Sequence, residues 1–75
     1  MRANVITGRL IREARKRAGL TQSELARAVG VQKAAVCRWE RAYRAPPHDM
    51  LIAVAKALGV RPAALVPTGR ELNVS

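Results

Sequence analysis

With 75 residues, 14 Lys and Arg against 5 Asp and Glu, and a formal charge of +9, the chain reads as one small, strongly basic domain, too short to divide. It contains no Phe, and Trp39 and Tyr43 are its only aromatic residues, so a core of Ala, Leu and Val must hide the roughly 60 % of unfolded surface that so short a chain can bury. Small aliphatics favour close-packed short helices and argue against a β-sandwich, where aromatic and β-branched residues prevail.

Cys37 is the single cysteine and His48 the single histidine. An internal disulfide is therefore excluded, and a zinc site would lack ligands. The same usage implies a reducing, intracellular setting. No stretch reads as a secretory signal or approaches the ~20 apolar residues that span a bilayer, so a soluble protein is expected. The charge is uneven: residues 1–20 carry +5, residues 21–45 carry +3 and residues 46–75 carry +1. A basic field concentrated in the N-terminal part points to a polyanionic partner, either nucleic acid or an anionic membrane.

In chain order, the first helix is expected from Asn4 or Thr7 to Ala18, with Leu10, Ile11, Ala14 and Ala18 as its apolar stripe. Arg9, Arg12, Lys16 and Arg17 lie mostly off that stripe, and Gly19 supplies a left-handed stop. The second helix has an explicit start. Thr21 and Glu24 have the T-x-x-E spacing of a capping box, and Leu20 and Leu25 the spacing of a hydrophobic staple. It spans about Gln22 to Val29, because Gly30 ends it. A third helix is expected from Gln32 to about Arg41. Val36 and Trp39 share one face; Lys33, Ala34, Cys37, Arg38 and Arg41 share the other. The fourth opens at Pro47, where proline suits the first helical position, and runs to Leu58. Its stripe is Leu51, Val54, Ala55 and Leu58, and Gly59 ends it. Pro62 opens a short fifth helix through Val66, stopped by Pro67. In the tail, residues 68–75, Leu72 and Val74 alternate with polar residues; the segment is either a short strand or disordered.

These residues carry a resemblance. GLTQSELARAVGV, then VCRWE, then a proline and LIAVAKALGV look like the helix-turn-helix domain of the lambdoid phage repressors and Cro proteins, the XRE-type family. The match covers roughly residues 6 to 66. It implies an all-α, compact five-helix domain at residues 1–67, with the second and third helices as the DNA-reading unit. Two departures stand out. The family usually has Gly where Ala42 stands, two residues after the Glu of the WE pair. A positive φ there would cost Ala about 1 kcal/mol or more, so the third helix is expected to end differently or to extend slightly. The family also often has Ser where Gln32 stands, which makes the N-cap of that helix weak.

The resemblance also assigns roles. In a helix-turn-helix the N-terminal residues of the second helix of the pair reach base edges in the major groove, which places Gln32, Lys33, Ala34 and Arg38 there. The chemistry fits: Lys33 and Arg38 can donate to guanine O6 and N7, Gln32 can pair with adenine, and the Ala34 methyl can meet a thymine methyl. Gln22, at a helix N-terminus that favours anions, maps to a phosphate contact. Arg41, Tyr43 and Arg44 are further candidates for the phosphate backbone. Helix-one cations Arg9, Arg12, Lys16 and Arg17 are read as long-range attraction. Glu40 lies near a helix C-terminus, where the dipole disfavours a carboxylate; in the family the residue matching Arg15 pairs with it. Trp39, Leu25 and Val36 are read as core, and Cys37 as a small residue at the edge of the DNA face.

An enzyme would need a converging acid, base or nucleophile. His48 and Asp49 are adjacent and do not face each other on a helix, so no catalytic residue, cofactor, metal or small-molecule ligand is expected. A membrane-surface helix would need one long helix with bulky apolar residues opposite its charges, which repeated helix stops contradict. The reading is a sequence-specific regulator of transcription, a small Cro-type repressor acting on a double-stranded operator in the cytoplasm of a bacterial or phage-infected cell. An antitoxin or a prophage control or activator protein could share the same head; a non-specific nucleic-acid or membrane-surface binder is the remote alternative. A weak homodimer that strengthens on DNA is expected, with Val60, Leu65, Val66, Leu72 and Val74 as its contact.

Overall fold

The computed structural model describes residues 2–67, which form α1 (Arg2–Arg17), α2 (Gln22–Val29), α3 (Lys33–Glu40) and α4 (His48–Leu58), then one 3-10 turn at Pro62–Leu65. Among the described residues there is no strand. The fifth expected helix is thus a single turn, and the five-helix count is corrected to four. The four residues Pro62–Leu65, ahead of the Val66–Pro67 step, leave no room for more. Pro67 disfavours the α region at Val66, which is extended at φ −126° and ψ 155°.

α1 begins earlier than its apolar pattern implies. Nothing in RANVI breaks a helix, and Thr7 turns inward, buried rather than capping. The buried face is Thr7, Ile11 and Ala14, with Leu10 half-buried at its edge, while Ala18 falls beyond the helix and is exposed. Arg15, Lys16 and Arg17 occupy the last turn, where cations complement the helix dipole.

All four helices end with the same pair of hydrogen bonds. In α1, Gly19 N–H donates to Lys16 O (3.0 Å) and Leu20 N–H to Arg15 O (3.1 Å). The matching pairs are Gly30 to Arg27 and Val31 to Ala26 in α2, Ala42 to Trp39 and Tyr43 to Arg38 in α3, and Gly59 to Lys56 and Val60 to Ala55 in α4. This is the Schellman arrangement, which needs a left-handed residue at its centre. The three glycines have φ of 75°, 78° and 71°, and Ala42 has φ 64°. The expectation that α3 would avoid a left-handed Ala42 is therefore corrected. The two hydrogen bonds that satisfy the end carbonyls of α3 hold alanine in a conformation it disfavours.

Ile11, Leu25, Val36, Val54 and Leu65 are fully buried, and Trp39, at 5 % exposure, joins them. α3 packs on both α1 and α2, α4 packs on α2, and the 3-10 turn closes against α1 and α4. Along α4 the buried residues are Leu51, Val54, Ala55 and Leu58, the stripe expected from spacing. α1 meets α3 at Gly8, where a Cβ would lie 2.4 Å from the Trp39 carbonyl oxygen and 2.9 Å from that of Glu40. Only glycine admits this approach.

Leu65 is 1 % exposed, so it belongs to the core and is removed from the proposed dimer contact. Val60 and Val66 are half-buried against the same core. Leu72, Val74 and the rest of the 68–75 tail lie outside the described residues.

Candidate nucleic-acid interface

The α2–α3 unit is fixed first by local chemistry. Thr21 Oγ1 accepts from Glu24 N–H (3.0 Å) and Glu24 Oε1 accepts from Thr21 N–H (2.8 Å), a reciprocal capping box. Gly30 reverses the chain, and Val31 tucks against the core. Gln32 is the N-cap of α3 but makes no side-chain capping bond, so its amide remains available to an outside partner.

α3 is divided lengthwise. Val36 and Trp39 are buried, which fixes the rotation of the helix about its axis. Gln32, Lys33, Ala34 and Arg38 are all exposed, and Cys37 is half-buried beside them. Lys33 and Ala34 occupy the first turn, and Arg38 follows Ala34 by four residues, one turn further on the same side. Beyond the helix, Arg41 and Arg44 are exposed and Tyr43 is 75 % exposed. Their backbone is set by the Ala42 reversal, which turns Tyr43 and Arg44 back toward the end of α3.

A second group lies behind this face. Arg15 Nε donates to Glu40 Oε2 (2.6 Å) and Nη2 to Oε1 (3.1 Å), while Nη1 donates to the Leu20 carbonyl oxygen (2.8 Å). The two side chains are 10 % and 3 % exposed. This fork-on-fork geometry supplies the hydrogen bonds that a buried ion pair needs, and it ties α1 to the end of α3. Gln22 Nε2 also donates to Glu40 Oε1 (3.0 Å). Gln22 is therefore held by the ion pair rather than free in solvent, a link that sequence pattern did not show. Arg12, Arg15, Gln22, Glu40 and Arg41 together line a cleft of about 180 Å³. Arg12, read from sequence as a source of general attraction, thus opens onto the same space as Gln22 and Arg41. Gly8 was likewise missed; an interior helical glycine was the available signal.

Among the described residues no three His, Cys, Asp or Glu side chains cluster as metal ligands. Among the same residues no helix is long and apolar enough to cross a membrane.

A capped helix, a left-handed turn and a second helix that buries one side and offers cations on the other form a helix-turn-helix, and with the family and structural matches they mark a DNA-binding regulator of transcription. Comparison with known proteins places it more closely. Residues 11–65 match the helix-turn-helix family model, and the chain belongs to that family. Solved structures agree. The restriction-modification controller protein C.AhdI from Aeromonas hydrophila is 32 % identical, with a TM-score of 0.79 over 83 % of this chain and 90 % of that one. The P22 c2 repressor, in complex with a synthetic operator, is 37 % identical, with a TM-score of 0.76 over 80 % and 91 % of the two chains. A hypothetical transcription factor from Neisseria is 27 % identical, with a TM-score of 0.83 over 93 % and 80 %. No curated protein matches the chain.

Proposed function

We propose that this regulator is a Cro-type repressor that recognises a specific operator by laying α3 in the major groove. The observation that carries the reading is the exposed side of α3, where Gln32, Lys33, Ala34 and Arg38 project while Val36 and Trp39 anchor the opposite side. Lys33 and Arg38 donate to guanine, Gln32 pairs with adenine, and Ala34 contacts a thymine methyl. Gln22, Arg41, Tyr43 and Arg44 hold the flanking phosphates and set the register without reading sequence.

Repression follows from occupancy: a bound domain blocks a promoter without a separate effector. The protein works in the cytoplasm as a weak homodimer that strengthens on a two-fold operator, because one such unit buries too little surface for a high specificity ratio. With Leu65 in the core, Val60 and Val66 remain the candidate contact within the described residues, and Leu72 and Val74 could extend it.

Selection of bound sequences from a random duplex pool tests the proposal. A two-fold symmetric consensus, with half-sites about 34 Å apart, is expected. Arg38→Ala and Lys33→Ala should each relax the preference at one position, at a cost of about 1–3 kcal/mol for the preferred base. If selection yields no consensus, the protein is a non-specific basic binder and the repressor reading fails.

A further inference from the structure

The cleft lined by Arg12, Arg15, Gln22, Glu40 and Arg41 brings three elements to one point: the middle of α1, the start of α2 and the end of α3. Its charges are unequal. Glu40 is neutralised by Arg15 in the one ion pair among the described residues. Among the described residues, Arg12 and Arg41 therefore face the cleft with no carboxylate within salt-bridge distance, and an anion placed between the two guanidiniums is attracted by both. The neutral lining has the same preference. Gln22 gives one amide hydrogen to Glu40 Oε1 at 3.0 Å, which fixes the amide and leaves its second hydrogen for another acceptor. The free N–H groups of the first turn of α2 add to the positive potential.

On the reading that α3 lies in a DNA groove, we propose that Arg12 is a direct arm of a backbone-phosphate site, closing from α1 while Arg41 closes from the end of α3 and Gln22 from α2. Guanidinium suits the task because it can grip two phosphate oxygens in one plane. The site also continues along α1. Arg9, Arg12 and Lys16 are exposed at i, i+3 and i+7, on one face of the helix. Arg17, also exposed, lies about a quarter-turn from this row on the 3.6-residue repeat. The DNA-facing surface of the molecule therefore includes one side of α1 in addition to the α2–α3 unit.

The test compares wild type, Arg12→Ala, Arg12→Lys and Arg17→Ala, binding a selected duplex and a scrambled duplex over a range of NaCl. Circular dichroism melts check that the exposed substitutions leave the fold intact. Arg12→Ala should lower affinity about 10-fold on both duplexes and flatten the log–log salt slope by about 0.9, one phosphate contact. Arg12→Lys should recover part of the affinity, and Arg17→Ala should change the slope far less. Inorganic phosphate, added at constant ionic strength, distinguishes the source of the oxyanion. A backbone site predicts weak competition by the free ion. Phosphate that binds through Arg12 without weakening duplex binding would assign the cleft to a free anion and overturn the proposal. If Arg12→Ala leaves the salt slope and affinity unchanged while wild type still binds duplex, Arg12 makes no contact and this inference fails alone. Wild type that binds no duplex overturns the DNA reading together with it.

Discussion

Ala42→Gly isolates one unfavourable residue in an otherwise repeated motif. The ends of α1, α2, α3 and α4 share the same hydrogen bonds, and only α3 has a side chain at the left-handed position. The left-handed conformation costs a Cβ-bearing residue about 1–2 kcal/mol. Glycine removes that strain but gives the unfolded chain more freedom, which offsets about 0.4–1 kcal/mol. The net gain is about 0.5–1 kcal/mol, or roughly 2–8 °C in Tm for a domain of this size. Gly30→Ala is the mirror experiment. A Cβ at Gly30 would meet nothing within 4 Å, so its cost is purely conformational and should be of similar size and opposite sign. Thermal melts followed at 222 nm, supported by urea titration, measure both variants. A lower Tm for Ala42→Gly, or a rise for Gly30→Ala, would refute the argument that the backbone angle dominates at these positions.

Other perturbations test different contacts. Arg15→Ala leaves the nearly inaccessible Glu40 carboxylate without its guanidinium partner and should cost about 3–5 kcal/mol in urea unfolding; a loss below 1 kcal/mol would mean that solvent reaches the pair readily. Gly8→Ala places a methyl against the backbone carbonyls of Trp39 and Glu40 and should cost about 1–3 kcal/mol through displacement of α1. An unchanged melting temperature would rule out that close approach. Arg44→Ala should weaken binding to all duplexes alike, in contrast with Arg38→Ala, and a change in consensus would move Arg44 into the reading set. If about six phosphates are neutralised, wild-type affinity should fall with salt at a log–log slope near −5; a slope near −1 would rule out so extensive a backbone contact.

The helices were legible in the sequence where their signals are local. The capping box at Thr21 and Glu24 and the Gly30 and Gly59 stops fix boundaries within a turn, and the stripe on α4 is the buried one. Two expectations differ from the structure, one for a local reason and one for a tertiary reason. Ala42 was expected to avoid positive φ, yet the hydrogen bonds from Ala42 and Tyr43 hold it there. Leu65, expected at a dimer contact, fills the core instead, because a single short turn shows no periodicity from which its buried side could be read. The site was less legible than the fold. Arg15 and Glu40 are 25 residues apart and Gln22 and Glu40 are 18 apart, so no local spacing connects them. The resemblance named the first pair; the second, and the place of Arg12 beside it, required the three-dimensional arrangement.

The division of α3 into a buried and an exposed side has a consequence for divergence. Gln32, Lys33, Ala34 and Arg38 are exposed, and among the described residues their side chains hold no other part of the chain by a hydrogen bond or ion pair. Substitutions at exposed positions of this kind usually change stability by no more than about 0.5 kcal/mol. Trp39, Val36 and Glu40, which lie on the same eight-residue helix, tolerate no such freedom. If this face reads the operator as proposed, mutation can sample new operator preferences through one set of side chains while selection on folding acts through another. Related regulators in one cell could come to ignore one another's operators without any of them passing through an unstable ancestor.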